Sequence, residues 1–217
     1  MKNIDNIDNV DPVISKLFDF KPRKGDLKKL AITKAFLQSV RLKGIDNTSF
    51  ETLSKDLETR HSHISYYFPN KTSLLDFALF WIQTDLQSRI VIQIEKERTA
   101  MPRLKAYISG VFDCFIENPN FGPTFILALH YSTFLESYRK TYSQLRSHAC
   151  QRIEAIIEDE LKKYNHGPNV VQRTAKDIHT MMTGCLITFL ADQQKSKTKE
   201  IKNEVSNRIL RIVQALR

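Results

Sequence analysis

Apolar residues recur along this chain at steps of three and four, with almost no alternating stretch, and this is the period of helices rather than strands. From residue 26 to 43 they form two adjacent rows, Leu27, Ala31, Ala35 and Ile32, Phe36, Val40, and Gly44 ends the helix as a glycine in a left-handed conformation. Thr48, Ser49, Phe50 and Glu51 read as a capping box in which the Thr48 hydroxyl accepts from the Glu51 amide. It opens a short second helix with Phe50, Leu53 and Leu57 on one face. A third short segment, residues 60–68, stops at Pro69, and Asn70 reads as the N-cap of a long fourth helix over 71–97. The stripe of that helix is Leu74, Ala78, Trp81, Ile82, Leu86, Ile90 and Ile94.

The pattern continues to the end of the chain. Pro102 suits the first turn of a helix running to 117, Asn118-Pro119-Asn120 interrupts, and 121–131 is a short apolar helix. A long helix over 133–164 ends at Asn165-His166-Gly167-Pro168, and two more follow over 169–193 and 197–217 across a polar Gln/Lys/Ser turn. Residues 1–22 show no sustained period and read as an arm expected to be mobile. The prediction is all-α, with nine helices: a three-helix head over 23–75 and a larger helical domain over 76–217.

Charge sharpens this division. The chain of 217 residues carries a formal +9. Residues 21–75 hold eight Lys and three Arg against five acids, a net of +6, whereas residues 1–20 have a net of −2 and the remainder a net of +5. A compact basic module implies a polyanion, with nucleic acid ahead of an anionic membrane surface. No apolar run approaches the length of a bilayer span and no signal-like core opens the chain, so a cytoplasmic protein is expected. Cys114, Cys150 and Cys185 lie far apart with no metal-ligand spacing, which predicts reduced thiols and no metal site. His61 and His63 point to different helix faces at a separation of two and do not form a metal pair.

Three short helices with a tight turn before the third are the ingredients of a helix-turn-helix module, whose third helix enters the major groove. Leu53, Leu57, Ile64 and Phe68 would anchor that helix, leaving Arg60, His61, Ser62, His63, Ser65 and Tyr66 outward to meet base edges or phosphates. Thr48 and Ser49 at the start of the second helix, Tyr67, and Lys71 at the start of the fourth are further candidates for the DNA backbone. Arg23, Lys24, Lys28 and Lys29 form a basic stretch that would follow the backbone or simply face solvent.

The segment 44–74 resembles the DNA-binding region of TetR-type transcriptional regulators. The resemblance is carried by Gly44, Thr48-Ser49, Leu53-Ser54, Ile64, Tyr67-Phe68 and Asn70-Lys71 followed by Leu74. The chain departs from the family pattern at Glu58 in the turn, where Gly is usual, and at Arg60, where a small hydroxyl residue is. Ser62 and Ser65 stand where Gly and a phosphate-contacting Tyr are common. The resemblance implies a homodimer on a palindromic operator, with the interface on the last two helices. Gly184 and Thr188 would admit a close partner helix there, and Ile201, Val205, Ile209, Ile212 and Leu216 would line it. It also implies a small-molecule pocket in the middle helices. These are unusually aromatic, and Phe112, Phe115, Phe125, His130, Phe134, Met181, Met182 and Phe189 are its candidate lining, suited to an apolar effector.

The reading is therefore a ligand-responsive repressor without cofactor. An alternative is a structural or cell-division factor of the same fold that binds DNA without an effector. An enzyme is not indicated: there is no HExxH, no Gly-rich phosphate loop and no Ser/His/Asp set in register, and Glu158, Asp159 and Glu160 read as a solvated face.

Overall fold

The computed structural model describes residues 22–192 and 198–216. The N-terminal arm, apart from Pro22, and the polar turn before the last helix lie outside the described residues. Within them the chain is all-helical, with no strand: α1 Lys24–Lys43, α2 Phe50–Asp56, α3 His61–Tyr67, α4 Lys71–Ile94, α5 Ala100–Glu117, α6 Phe121–Ser132, α7 Glu136–Lys162, α8 Pro168–Asp192 and α9 Thr198–Gln214. The helix stops are those the sequence marks. Gly44 has φ 78°, Asn165 has φ 59°, and Pro168 occupies the first position of α8, where its missing N–H costs nothing. Asn70 caps α4, its side-chain oxygen accepting from the Ser73 amide at 2.8 Å.

The helices pack into two compact units, Met1–Ser88 with Pro119–Phe125, and Arg89–Asn118 with Ile126–Arg217. In the first, Phe36, Leu53, Ile64 and Leu74 are all but sealed from solvent and join α1 to α4 in one core. The short return segment packs here as well. Phe121 meets Trp81 edge-on at 6.1 Å, and Arg41 donates to the Asn120 side-chain oxygen at 3.2 Å.

In the second unit α7 runs along α8, α5 lies against α7 and α9, and α9 closes against α8. Each helix contributes a row at steps of three or four: Leu104, Ile108 and Phe112; Ile153, Ile157 and Leu161; Ala175, Ile178 and Met182; Val205, Ile209 and Val213. Side chains this deeply buried are worth about 1.5–3 kcal/mol each, which makes this four-helix packing the main source of the unit's stability. Two polar ties supplement it. Lys202 on α9 pairs with Asp113 on α5 at 2.8 Å, and the His166 ring donates to the Leu216 carbonyl at 2.6 Å. Cys114 and Cys150 are buried and Cys185 half-buried, all free thiols. No helix among the described residues is long and apolar enough to cross a membrane.

Gly110 on α5 sets how closely this helix approaches Ile90. A Cβ at position 110 would stand 3.0 Å from the Ile90 Cα and 3.2 Å from its backbone nitrogen, and backbone atoms cannot swing aside. Gly110→Ala should therefore destabilise the protein by about 1–3 kcal/mol despite its better helix propensity, a loss readable as a lowered urea midpoint.

Candidate nucleic-acid interface

The first unit builds a helix-turn-helix from very short pieces. α1 ends when Gly44 takes a positive φ and its amide bonds to the Val40 carbonyl at 3.0 Å. The chain then turns through Ile45, Asp46 and Asn47 into Thr48, where the predicted capping box needs correction. The Thr48 hydroxyl is fully buried, donating to the Gly44 carbonyl at 2.8 Å and lying 2.9 Å from the Ser39 hydroxyl. It is a strut inside the turn and has no surface to offer DNA. The cap is Ser49, one residue later, which accepts from the Thr52 amide at 3.1 Å while the Thr52 hydroxyl accepts from the Ser49 amide at 2.8 Å. Glu51 instead pairs with Lys55 one turn on, at 2.8 Å, which holds its carboxyl below the usual range. A Ser/Thr pair offers two caps one residue apart, and the buried site took the hydroxyl whose partners lay inward.

Between α2 and α3 the chain reverses in four residues. Glu58 at φ 51° makes the reversal and is, with Asn165, one of two non-glycine residues at positive φ among the described residues. Leu53 and Ile64, at 1% and 0% exposure, pin the two helices together across this turn, and Phe68 closes the end of α3 at 2%. Leu57 is only half-buried. Arg60 stands at the N-cap of α3, where its side chain makes no capping hydrogen bond.

With Ile64 inward, the face of α3 turned to solvent carries Arg60, His61, Ser62 and Tyr66, all exposed, Tyr66 at 81%. His63, Ser65 and Tyr67 are half-buried and brace it. The His63 Nδ1 lies 3.0 Å from the Thr59 hydroxyl, its ring meets Tyr67 edge-on at 5.4 Å, and Tyr67 meets Tyr66 edge-on at 5.1 Å. The Ser65 hydroxyl donates back to the His61 carbonyl at 3.2 Å, and the His61 ring lies 5.8 Å from Phe50 on α2. The result is a polar and aromatic surface on which His61 and Tyr66 are braced by their neighbours, and such bracing lowers the ordering cost of any contact they make.

The cations divide by task. Lys29 sits over the Phe68 and Phe77 rings at 5.8 and 5.6 Å, and Lys43 pairs with Asp56 at 3.0 Å. Lys71 donates to the Ile45 carbonyl and is half-buried, and desolvation pushes its ammonium below the usual lysine range. That bond ties the first turn of α4 to the turn before α2, so Lys71 holds the module together whatever else it touches. Arg60 and Lys24 are exposed and Lys28 half-buried, and among the described residues these three form no ion pair.

The candidate effector residues do not share one environment. Phe112, Phe115 and Met182 are buried in the second unit, with Phe112 edge-on to the half-buried Phe189 at 5.8 Å. Met181 is half-buried, and so is Phe125, which belongs to the first unit. His130 and Phe134 are corrections. Both are exposed and meet edge-on at 5.2 Å: His130 on the outer face of the last turn of α6, and Phe134 in the turn that follows Ser132.

The candidate dimer residues also separate. Gly184 and Thr188 lie exposed on α8, beside Ile187 at 39%. Val205 and Ile209, at 4% and 0%, face inward and complete the unit's own core, so they present nothing to a partner. Ile201, Ile212 and Leu216 are half-buried on either side of that row.

No protein-family model matches the chain. Among curated proteins, a stretch of 95 residues is 28% identical to the nucleoid occlusion factor SlmA of Mannheimia succiniciproducens; it spans 44% of this chain and 43% of that protein, less than half of either. Among solved structures, a TetR transcription regulator from Haloarcula marismortui superposes with a TM-score of 0.67 at 14% identity, covering 87% of this chain and 97% of that one. A candidate transcriptional regulator from Saccharomonospora viridis, solved in complex with choline, gives a TM-score of 0.73 at 17% identity, covering 84% and 95%. The fold is that of TetR-type transcriptional regulators.

Glu58 holds a conformation that favours glycine, so Glu58→Gly should raise the stability of the protein by about 1 kcal/mol, partly offset by the entropy glycine loses on folding. Glu58→Ala removes the carboxylate but keeps the positive φ, and its unfolding midpoint should stay near that of the parent in the same thermal scan.

Proposed function

We propose that this chain is a DNA-binding transcriptional regulator that works as a homodimer, reading a palindromic operator with α3 of each copy. The observation that carries the reading is the braced outward face of α3, set on a buried Leu53–Ile64–Phe68 anchor within the segment of highest positive charge. A seven-residue helix reaches only a few base pairs, so useful specificity calls for two copies, spaced about 34–36 Å apart on one turn of duplex. The open face of α8 around Gly184, Ile187 and Thr188 suits the contact between copies, with Ile201, Ile212 and Leu216 at its margin.

Within this reading Arg60, His61, Ser62 and Tyr66 meet base edges, with His63, Ser65 and Tyr67 holding them in place. Ser49, Lys71 and the Lys24–Lys28 stretch lie toward phosphates. The protein acts as a repressor released by a small, largely apolar ligand seated among Phe112, Phe115, Met181, Met182 and Phe189, with no enzymatic step. The Saccharomonospora viridis neighbour, solved in complex with choline, supports a fold that can hold a small molecule. The partial match to a nucleoid occlusion factor favours a second reading, a DNA-binding factor without effector. A thermal-shift screen separates them: an effector should raise the melting temperature in proportion to the logarithm of its excess over Kd, and a protein without one should ignore the library.

Selection of bound duplexes from fragmented genomic DNA should return sequences with two-fold symmetry. On the selected operator, Arg60→Ala should cost about tenfold in affinity, or ~1.4 kcal/mol, and relax the preference at one position of each half-site. Lys28→Ala should weaken all duplexes alike and lower the salt slope by about one per copy. Equal binding to operator and scrambled duplex at physiological salt would overturn the proposal.

A further inference from the structure

Two histidines stand on α3, and the Nδ1 of each is met by a hydroxyl four residues away. The Thr59 hydroxyl lies 3.0 Å from Nδ1 of His63, and the Ser65 hydroxyl lies 3.3 Å from Nδ1 of His61. The two pairs differ in what else the hydroxyl does. Thr59 Oγ1 makes no second hydrogen bond among the described residues, so its proton can go to the His63 ring. Ser65 Oγ is already committed, because it donates to the His61 carbonyl at 3.2 Å. A hydroxyl has one proton, and a carbonyl oxygen can only accept it. Both Ser65 contacts are therefore hydrogen bonds at once only if His61 Nδ1 carries a proton and donates it to Oγ.

That assignment fixes the other nitrogen. A neutral imidazole carries a single ring proton, so with Nδ1–H toward Ser65 the Nε2 of His61 is a bare acceptor. The residue is exposed at the start of α3, and its ring lies 5.8 Å from Phe50 of α2. The surrounding charges suit a neutral ring. Glu51, the acid that feels His61, is paired with Lys55 at 2.8 Å, and Arg60 beside it adds a positive charge.

We propose that His61 is a specificity-determining residue that accepts from the exocyclic amino group of adenine or cytosine. Ser65 is the positioning residue that makes it an acceptor. The inference rests on the regulator reading above, in which His61 meets base edges. In the major groove adenine offers its N6 amino group and cytosine its N4 amino group as donors, whereas guanine and thymine offer acceptors. Phosphate oxygens also only accept, so a bare Nε2 gains nothing from the DNA backbone and acts on sequence alone. With its proton on Nε2 the same ring would instead favour guanine or a phosphate. Arg60, which has donors only, makes the opposite demand of its own base pair.

The test uses the full chain with isotope-labelled histidine. At about pH 8, where imidazoles are neutral, the nitrogen NMR spectrum distinguishes a protonated ring nitrogen from a bare one. His61→Ala identifies the signals. His61 should carry its proton on Nδ1, and Ser65→Ala should move it to Nε2, with helicity by circular dichroism unchanged. Duplexes selected from fragmented genomic DNA are then remade with purine in place of each adenine, or pyrimidinone in place of each cytosine, which removes one amino group at a time. At one position of each half-site the removal should cost the parent about five- to tenfold in affinity, and it should cost Ser65→Ala and His61→Ala much less. The replacement that does so tells adenine from cytosine. A His61 proton on Nε2 in the parent, a spectrum that Ser65→Ala leaves unchanged, or an operator on which no amino group has this effect would each overturn the inference. Equal binding of all duplexes would overturn the regulator reading and the base contact with it, while the spectrum would still score the tautomer.

Discussion

Two helices of seven residues cannot persist alone in water, since a single turn fixes more dihedrals than its hydrogen bonds repay. α2 and α3 exist because Leu53 and Ile64 are buried where these helices pack, in a unit whose core also holds Phe36 and Leu74. Every outward feature of the head depends on that burial. With Ile64 inward, helical geometry turns Ser62 and Tyr66 to solvent, and His61 is exposed at the start of α3 beside Phe50. The turn at Glu58 is forced to a positive φ by the same requirement, because the two helices must meet within four residues. The local strain at Glu58 is thus a consequence of where the leucine and isoleucine have to go.

Much of this was legible in the residues. The helix order, the stops at Gly44, Asn118–Asn120 and Asn165–Pro168, and the anchors Leu53, Ile64 and Phe68 follow from spacing and from glycine and proline chemistry. Burial was harder to read where two adjacent residues could serve one purpose. Thr48 and Ser49 both carry a capping hydroxyl, and the choice depended on Ser39 lying nine residues earlier, across the turn. The last helix shows the same limit. Val205 and Ile209 form a row that would serve a partner or the unit's own core equally well, and only the presence of α5 and α8 against it decides. His130 and Phe134 sit at helical spacing in an aromatic run, but His130 falls on the outer face of α6 and Phe134 lies beyond its end, and composition encodes neither the face nor the stop.

The two units use their polar groups differently. In the first, hydroxyls and lysines are spent on turns: Thr48 on Gly44, Ser49 on Thr52, Lys71 on Ile45. In the second, long helices satisfy their own backbones, and the polar ties run between helices, as from Lys202 to Asp113 and Gln93 to Asp113 at 3.3 Å. A unit of short helices has many free backbone ends per residue, so its side chains serve as caps and struts, and the few left over are the ones free to meet a ligand.

The bond from Lys71 to the Ile45 carbonyl has a mechanical meaning. It joins the first turn of α4 to the loop that launches α2, so the start of α4 cannot slide along its axis without dragging that loop. Displacing the root of α4 would pull on the loop that launches α2, so a disturbance there reaches the short helices through one lysine.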